Sequence, residues 1–158
     1  MSEENVLFAK QSDTPPAEEI PAEIQSEKYL ICVSDSLLYG IVAEQVVEII
    51  TDHTITYLPR VPHYVRGIIN LRGQLIPIID MRLRLGKMPE DEHCIMVVNV
   101  ENNVVGLLVD GVERMADIPR DSILPMPTQN PQKLISGMCS LPDGATMLVL
   151  DCSLLLHG

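Results

Sequence analysis

The sequence predicts an all-β fold with a few short helices, and three observations carry that expectation. Apolar runs of five to seven residues recur along the chain, split by turns rich in Gly, Asp, Asn and Pro, the pattern of a β-barrel or sandwich. Of the 158 residues, 46% are hydrophobic but only 3% are aromatic and none is Trp, so a sizeable core must be aliphatic. The third observation is an internal echo: Ile78-Ile-Asp-Met-Arg-Leu-Arg-Leu-Gly86 resembles Val149-Leu-Asp-Cys-Ser-Leu-Leu-Leu-His-Gly158. Each copy reads as apolar strand, Asp cap, Leu-bearing turn and Gly stop. A period of about 71 residues points to two related lobes, each closed by a short helix. Barrel closure would also hide the strand edges that so aliphatic a chain exposes.

Residues 1–27 are acidic and carry Pro15, Pro16 and Pro21 with almost no apolar periodicity, so a disordered tail is expected there. Residues 28–158 then form the single folded domain, its two lobes not delimited by sequence. Tyr29 to Val33 reads as a buried strand, and Leu37 to Val42 as its hairpin partner across Ser34-Asp35-Ser36. Ala43 to Ile50 reads as a two-turn helix that must dock to be stable. Glu44 and Glu48 would share its wet face, and Val46, Val47, Ile49 and Ile50 each read as core, with exposure of one or two of them as the alternative. Thr54 to Leu58 alternates like a strand until Pro59 and Pro62 break it.

The most distinctive stretch is Val65 to Asp80, VRGIINLRGQLIPIID. Two apolar runs separated by Leu71-Arg72-Gly73-Gln74 read as a hairpin. Gly73 takes φ > 0 without steric cost, which puts Arg72 at or beside the apex. Gly67 and Pro77 are unusual inside strands and mark a bulge, an edge or a close backbone approach. An arginine on a rigid tip suits a carboxylate, because its guanidinium offers two parallel donors. A solvated hairpin tip explains the same residues, and both readings stand at this point.

Asp80 is a strong N-cap and Gly86 a strong stop, so Met81 to Leu85 should make one helical turn. Pro89 to Glu92 is a polar break. Cys94 to Val100 and Val104 to Val109 form a second hairpin, and Asp110-Gly111 turns the chain into Val112 to Ile118. Pro119 to Gly137 is a Pro-punctuated loop. Gly137 to Leu141 and Thr146 to Leu150 make a third hairpin around Pro142-Asp-Gly144, and Asp151 repeats the cap.

Net charge is −11, unsuited to a general nucleic-acid binder that must neutralise phosphates. Five Tyr and Phe residues leave little for stacking bases. Residues 60–87 alone are basic, carrying Arg60, Arg66, Arg72, Arg82, Arg84 and Lys87 against Asp80, a clue to partner steering. The cysteines Cys32, Cys94, Cys139 and Cys152 lack metal-ligand spacing and read as buried reduced thiols. No signal peptide and no apolar run of about 20 residues is found, so a cytoplasmic protein without direct membrane insertion is expected.

No GxSxG, GxxxxGK, HExxH or GxGxxG motif occurs. His53, His63, His93 and His157 are scattered in loops, turns or a terminus. The Asp110–Glu113 carboxylates are explained by a turn. The inventory favours a binding module over an enzyme, with no metal or cofactor expected. Hot spots must come from Arg and aliphatic anchors. Met115, Met126 and Met138 either line an adaptable surface or fill gaps.

The run VPHYVRGIINLRGQLIPIIDMRLRLG, the later VVGLLVDGV and the ending LISGMCSLPDGATMLVLD resemble the CheW-like domain family of bacterial chemotaxis. The likeness covers Lys28 onward, and the NLRG hairpin followed by PIID is highly specific. It implies two SH3-like five-stranded β-barrel lobes sharing a core. It also implies a stand-alone adaptor, since the chain shows no kinase portion and no room for a receiver domain. Its implied partners are a CheA-type histidine kinase and the cytoplasmic tips of methyl-accepting chemoreceptors, with recruitment to membrane-associated arrays. Carried over by position, Arg72 matches the NLRG arginine of receptor or array contacts, and Val46 and Glu48 match receptor-binding positions. Ile68, Ile69 and Leu75 fall near the inter-lobe groove where receptors dock in the family. The acidic tail and the stop directly after the last Leu-rich turn depart from the pattern. Rival readings are a scaffold of the same family serving another pathway, such as pilus-based motility, and a small-ligand-binding β-barrel.

Overall fold

Branched aliphatic runs pair into two sheets. The computed structural model describes residues 25–89, 94–126 and 134–155. Its strands are β1 (Ser26–Ser34), β2 (Leu37–Val42), β3 (Val46–Ile50), β4 (Val65–Leu71), β5 (Gln74–Asp80), β6 (Cys94–Val100), β7 (Asn103–Val109), β8 (Gly111–Pro119), β9 (Leu124–Pro125), β10 (Ile135–Ser140) and β11 (Thr146–Leu150), with helix α1 at Met81–Arg84. One sheet runs β8-β1-β2-β11-β10-β9 and the other β3-β6-β7-β5-β4. Each makes one SH3-like lobe; the first has six strands rather than five, because the two-residue β9 adds to its edge.

The lobes interlock. Hairpin β1–β2 belongs to the first half of the sequence yet pairs with the last strands, through the parallel contact of β11 with β2. Reciprocally, β6–β7 pairs with the first half through the parallel contact of β5 with β7. Equivalent positions recur in register: Ile78 faces Gly106, and Val149 faces Gly40. A side chain on either glycine would overlap the strand beside it. The 71-residue echo therefore marks two half-chains that exchange hairpins.

That exchange builds three apolar layers. A shared core between the lobes takes Leu30, Cys32 and Ile41 from one sheet and Ile79, Met96, Val98 and Leu107 from the other. Each lobe also has its own interior, Ile31, Met147 and Val149 in one and Ile69, Ile76, Ile78 and Val97 in the other. Strand β6 shows why its sequence is apolar from Cys94 to Val98: Met96 and Val98 face the shared core, Ile95 and Val97 the lobe interior. A strand buried on both faces has no polar side to alternate.

Two expectations are corrected. Only Ala43–Gln45 is helical, as a 3-10 turn, and Val46–Ile50 is strand β3, paired with β6. Val and Ile lose side-chain freedom in a helix but pack well on a pleat, and β6 supplies the ladder. The strand expected at Thr54 to Leu58 shrinks to one bridge between Thr56 and Ile68. In addition, β1 begins at Ser26, so Ser26 and Glu27 pair with β8 rather than belonging to the tail. Residues 1–24, His93, His157 and most of the Pro89 to Glu92 break lie outside the described residues.

Candidate functional site

The β4–β5 hairpin carries the candidate tip. Arg72 and Gly73 both have positive φ, 52° and 87°, the pairing that a two-residue turn of matching twist requires. Asn70 steadies it, its Oδ1 accepting the Gly73 N–H at 2.9 Å. Below the tip, Ile68 spends both backbone groups on Thr56, at 2.8 and 2.9 Å. Ile68 is therefore a position that makes no ladder bonds to β5, and its opposite residue Pro77 sacrifices no donor there. Gly67 sits at a register shift, and a side chain on it would collide with the Thr56 carbonyl. Both anomalies in the hairpin sequence thus seat the Thr56 segment against β4.

The Arg72 side chain is 70% exposed, and its Nη2 donates to Glu48 Oε1 on β3. Two of the expected site residues therefore meet directly. Their strands are the two edges of one sheet, so the pair ties the lobe's open side. Glu48 is flanked on β3 by Val47 and Ile49, which are 53% and 43% exposed, and Leu75 beyond the tip is 62% exposed. Val47 and Ile49 are therefore not core, and they are displayed on a strand instead of a helix. Tyr57, not among the sequence-derived candidates, is also largely exposed. An isolated aromatic two residues before Pro59 was the available signal.

The other expected residues differ in their standing. Val46 is half-buried and packs on the shared core. Ile68 is half-buried as well. Ile69, at 1% exposure, lies inside the lobe. Strand alternation separates it from its neighbours, since Ile69 points inward with Ile76 beside it.

The basic island is mostly consumed internally. Arg82 grips Asp110 with two bonds, Nε to Oδ1 at 2.9 Å and Nη2 to Oδ2 at 2.7 Å, and also reaches Asp35 at 3.3 Å. Lys87 meets Asp35 at 3.1 Å. This network joins α1 to turns of both sheets, and the Arg82 hydrogen bonds hold the Asp110 carboxyl below its ordinary pKa. Arg66 bonds buried Asp80 at 2.5 Å while the same carboxylate caps α1 through the Arg82 and Leu83 N–H groups. Arg84 lies 4.9 Å over the Tyr64 ring and donates to the Leu154 and Leu155 carbonyls. Partners 14 to 71 residues away left no local trace in the sequence.

All four cysteines are free and buried. Burial pushes the Cys32 and Cys152 thiols up to about 12, and raises Cys94 and Cys139, so they are neutral packing groups. Met115 is exposed, whereas Met126 packs on the shared core. Among the described residues no group of His, Cys, Asp and Glu is arranged to hold a metal, and no helix is long and apolar enough to cross a membrane.

Fold and tip together define a two-lobed SH3-like β module, its halves interlocked around a shared core. The sequence signature of the CheW-like domain matches residues 28–158, and the chain belongs to that family. It is 45% identical over 75 residues to the probable chemotaxis protein CheW of Rhizobium etli, which is 46% of this chain and 48% of the relative. The chemotaxis protein CheW of Klebsiella aerogenes is 32% identical over 111 residues, 68% of this chain and 67% of its own. Matched segments thus span about half of the Rhizobium protein and two thirds of the Klebsiella one. The crystal structure of the scaffolding protein TtCheW from Thermoanaerobacter tengcongensis is similar at a TM-score of 0.79 and 28% identity, covering 85% of this chain and 94% of that one.

Proposed function

We propose that this chain is a non-enzymatic chemotaxis adaptor that couples the cytoplasmic tips of methyl-accepting chemoreceptors to a CheA-type histidine kinase. The observation that carries the reading is the likeness to a scaffolding protein over 94% of that protein's length, within a family match spanning residues 28–158. On this reading the chain works in the cytoplasm and reaches membrane-associated arrays through its partners.

The contact surface is the exposed tip and the strand it touches. Arg72 and Glu48 provide opposite charges and Leu75 apolar area at the tip, Val47 and Ile49 provide apolar area on the other face of edge strand β3, and Val46 and Ile68 are half-buried. Ile69 supports the tip from within. Array contacts must form and dissolve, which suits interfaces below about 1,200 Å². Signalling then proceeds by shifting populations among bound states, with no chemistry in the adaptor.

The test is capture of the full chain by immobilised receptor cytoplasmic fragments and, separately, by the kinase. Binding to both supports the adaptor. Binding to neither, with the chain folded, rejects it.

A further inference from the structure

The two half-chains place equivalent residues at two equivalent sites, and only one site holds an arginine. In the hairpins, Asp35 and Glu101 each begin the two-residue turn, with Ser34 and Leu37 matching Val100 and Asn103 around it. In the short helices, Asp80 and Asp151 each cap the N–H two residues on, which belongs to Arg82 in one half and Ser153 in the other. Asp110 and Glu44 also correspond, each two residues before a strand residue in matching register, Val112 facing Cys32 and Val46 facing Val98. The set Arg82, Asp35 and Asp110 therefore maps onto Ser153, Glu101 and Glu44.

In the first set the guanidinium is seated between two carboxylates, at 2.7 to 3.3 Å, and the Arg82 side chain is only 15% exposed. In the second set the small Ser153 turns its hydroxyl onto its own cap, 2.6 Å from Asp151 Oδ1. What remains is a cavity of about 160 Å³ lined by Val100, Glu101, Asn103, Val105, Cys152 and Ser153. Among the described residues neither Glu101 nor Glu44 has an ion-pair partner. A cavity of about 150 Å³ admits a benzene ring, so the smaller guanidinium fits.

We propose that this cavity accepts an arginine side chain presented by a partner protein, its guanidinium entering beside Glu101 where Arg82 sits in the other half. The filled site supplies the template: one turn carboxylate, one carboxylate preceding an edge strand, and an apolar wall. Asn103 adds a side-chain amide at the rim. Arginine is favoured over lysine because its planar fork can donate two parallel bonds to the single lining carboxylate, Glu101. The neutral Cys152 thiol does not compete for the charge.

The experiment titrates the full chain with N-acetyl-arginine methylamide, and separately with its lysine counterpart, following backbone amide resonances. The expected result is saturable shifts at Glu101, Asn103 and Ser153, at least about tenfold weaker for the lysine compound and for Glu101→Gln. A second variant, Ser153→Arg, rebuilds the filled site. It is expected to abolish the shifts and raise Tm by a few degrees, as the introduced guanidinium is held by the chain's own Glu101. Absence of saturable shifts, equal response to arginine and lysine, or unchanged binding by folded Glu101→Gln overturns the proposal. Capture by receptor or kinase is not part of this readout, so either proposal can fail alone.

Discussion

Arg72 at the β4–β5 tip is ion-paired with Glu48 on β3, and the other lobe holds the same pair with its charges exchanged. There Asp143, at the β10–β11 turn, meets Arg114 of β8 at 3.4 Å. The positions correspond, because Glu48 faces Val97 and Arg114 faces Ile31 at matching points of the two ladders. Each lobe therefore ties its hairpin tip to its edge strand, one with a basic tip and the other with an acidic one.

An exposed pair of this kind stabilises little, below about 1 kcal/mol. Arg72→Ala and Glu48→Ala should each unfold in urea within that range of the wild type, with a small coupling in the double variant. A loss several times larger would make the pair a fold determinant instead of a surface feature.

Ile69 and Leu75 lie six residues apart in one hairpin and should separate cleanly. Ile69→Ala empties part of the lobe interior and should cost about 2–5 kcal/mol. Leu75→Ala removes only exposed area and should leave stability within about 0.5 kcal/mol while weakening partner capture. Equal destabilisation by the two, measured by denaturant melts, contradicts the assigned burial.

Ser34 is fully buried and its hydroxyl has no hydrogen-bond partner. Its counterpart in the other half is Val100, which packs in the shared core. Ser34→Val should therefore raise stability by about 1 kcal/mol, since it removes a desolvated polar group from a strand position. A lower Tm would show that the hydroxyl is satisfied in solution.

The Asp110 carboxyl titrates below its ordinary value of 3.8 because Arg82 bonds its charged form. A lowered folded pKa means that the pair's stabilisation is present in full above 3.8 and is lost as pH falls through the lower folded value. Acid melts should show that loss in the wild type and a smaller one in Asp110→Asn. Identical acid profiles for the two proteins would remove the network from the account.

The sequence was legible where the physics is local. Four hairpins, the Asp80 and Asp151 caps and the tip position of Arg72 all follow from turn and capping chemistry within a few residues. The echo revealed paired halves, but not that they trade hairpins, since parallel pairing of β2 with β11 spans most of the chain. Local reading failed at Val46–Ile50, where the partner strand β6 decides the conformation. Charge counting found the basic stretch but not that Arg66, Arg82 and Arg84 are bound internally by distant groups.

Whether this chain bridges two partners is tested most directly by a three-component capture. Immobilised receptor fragment should retain the CheA-type kinase when the wild-type chain is added, and retain much less when Arg72→Glu replaces it, with the variant's Tm essentially unchanged. Kinase retention that does not depend on the chain, or that is undiminished by Arg72→Glu, contradicts an adaptor working through this tip.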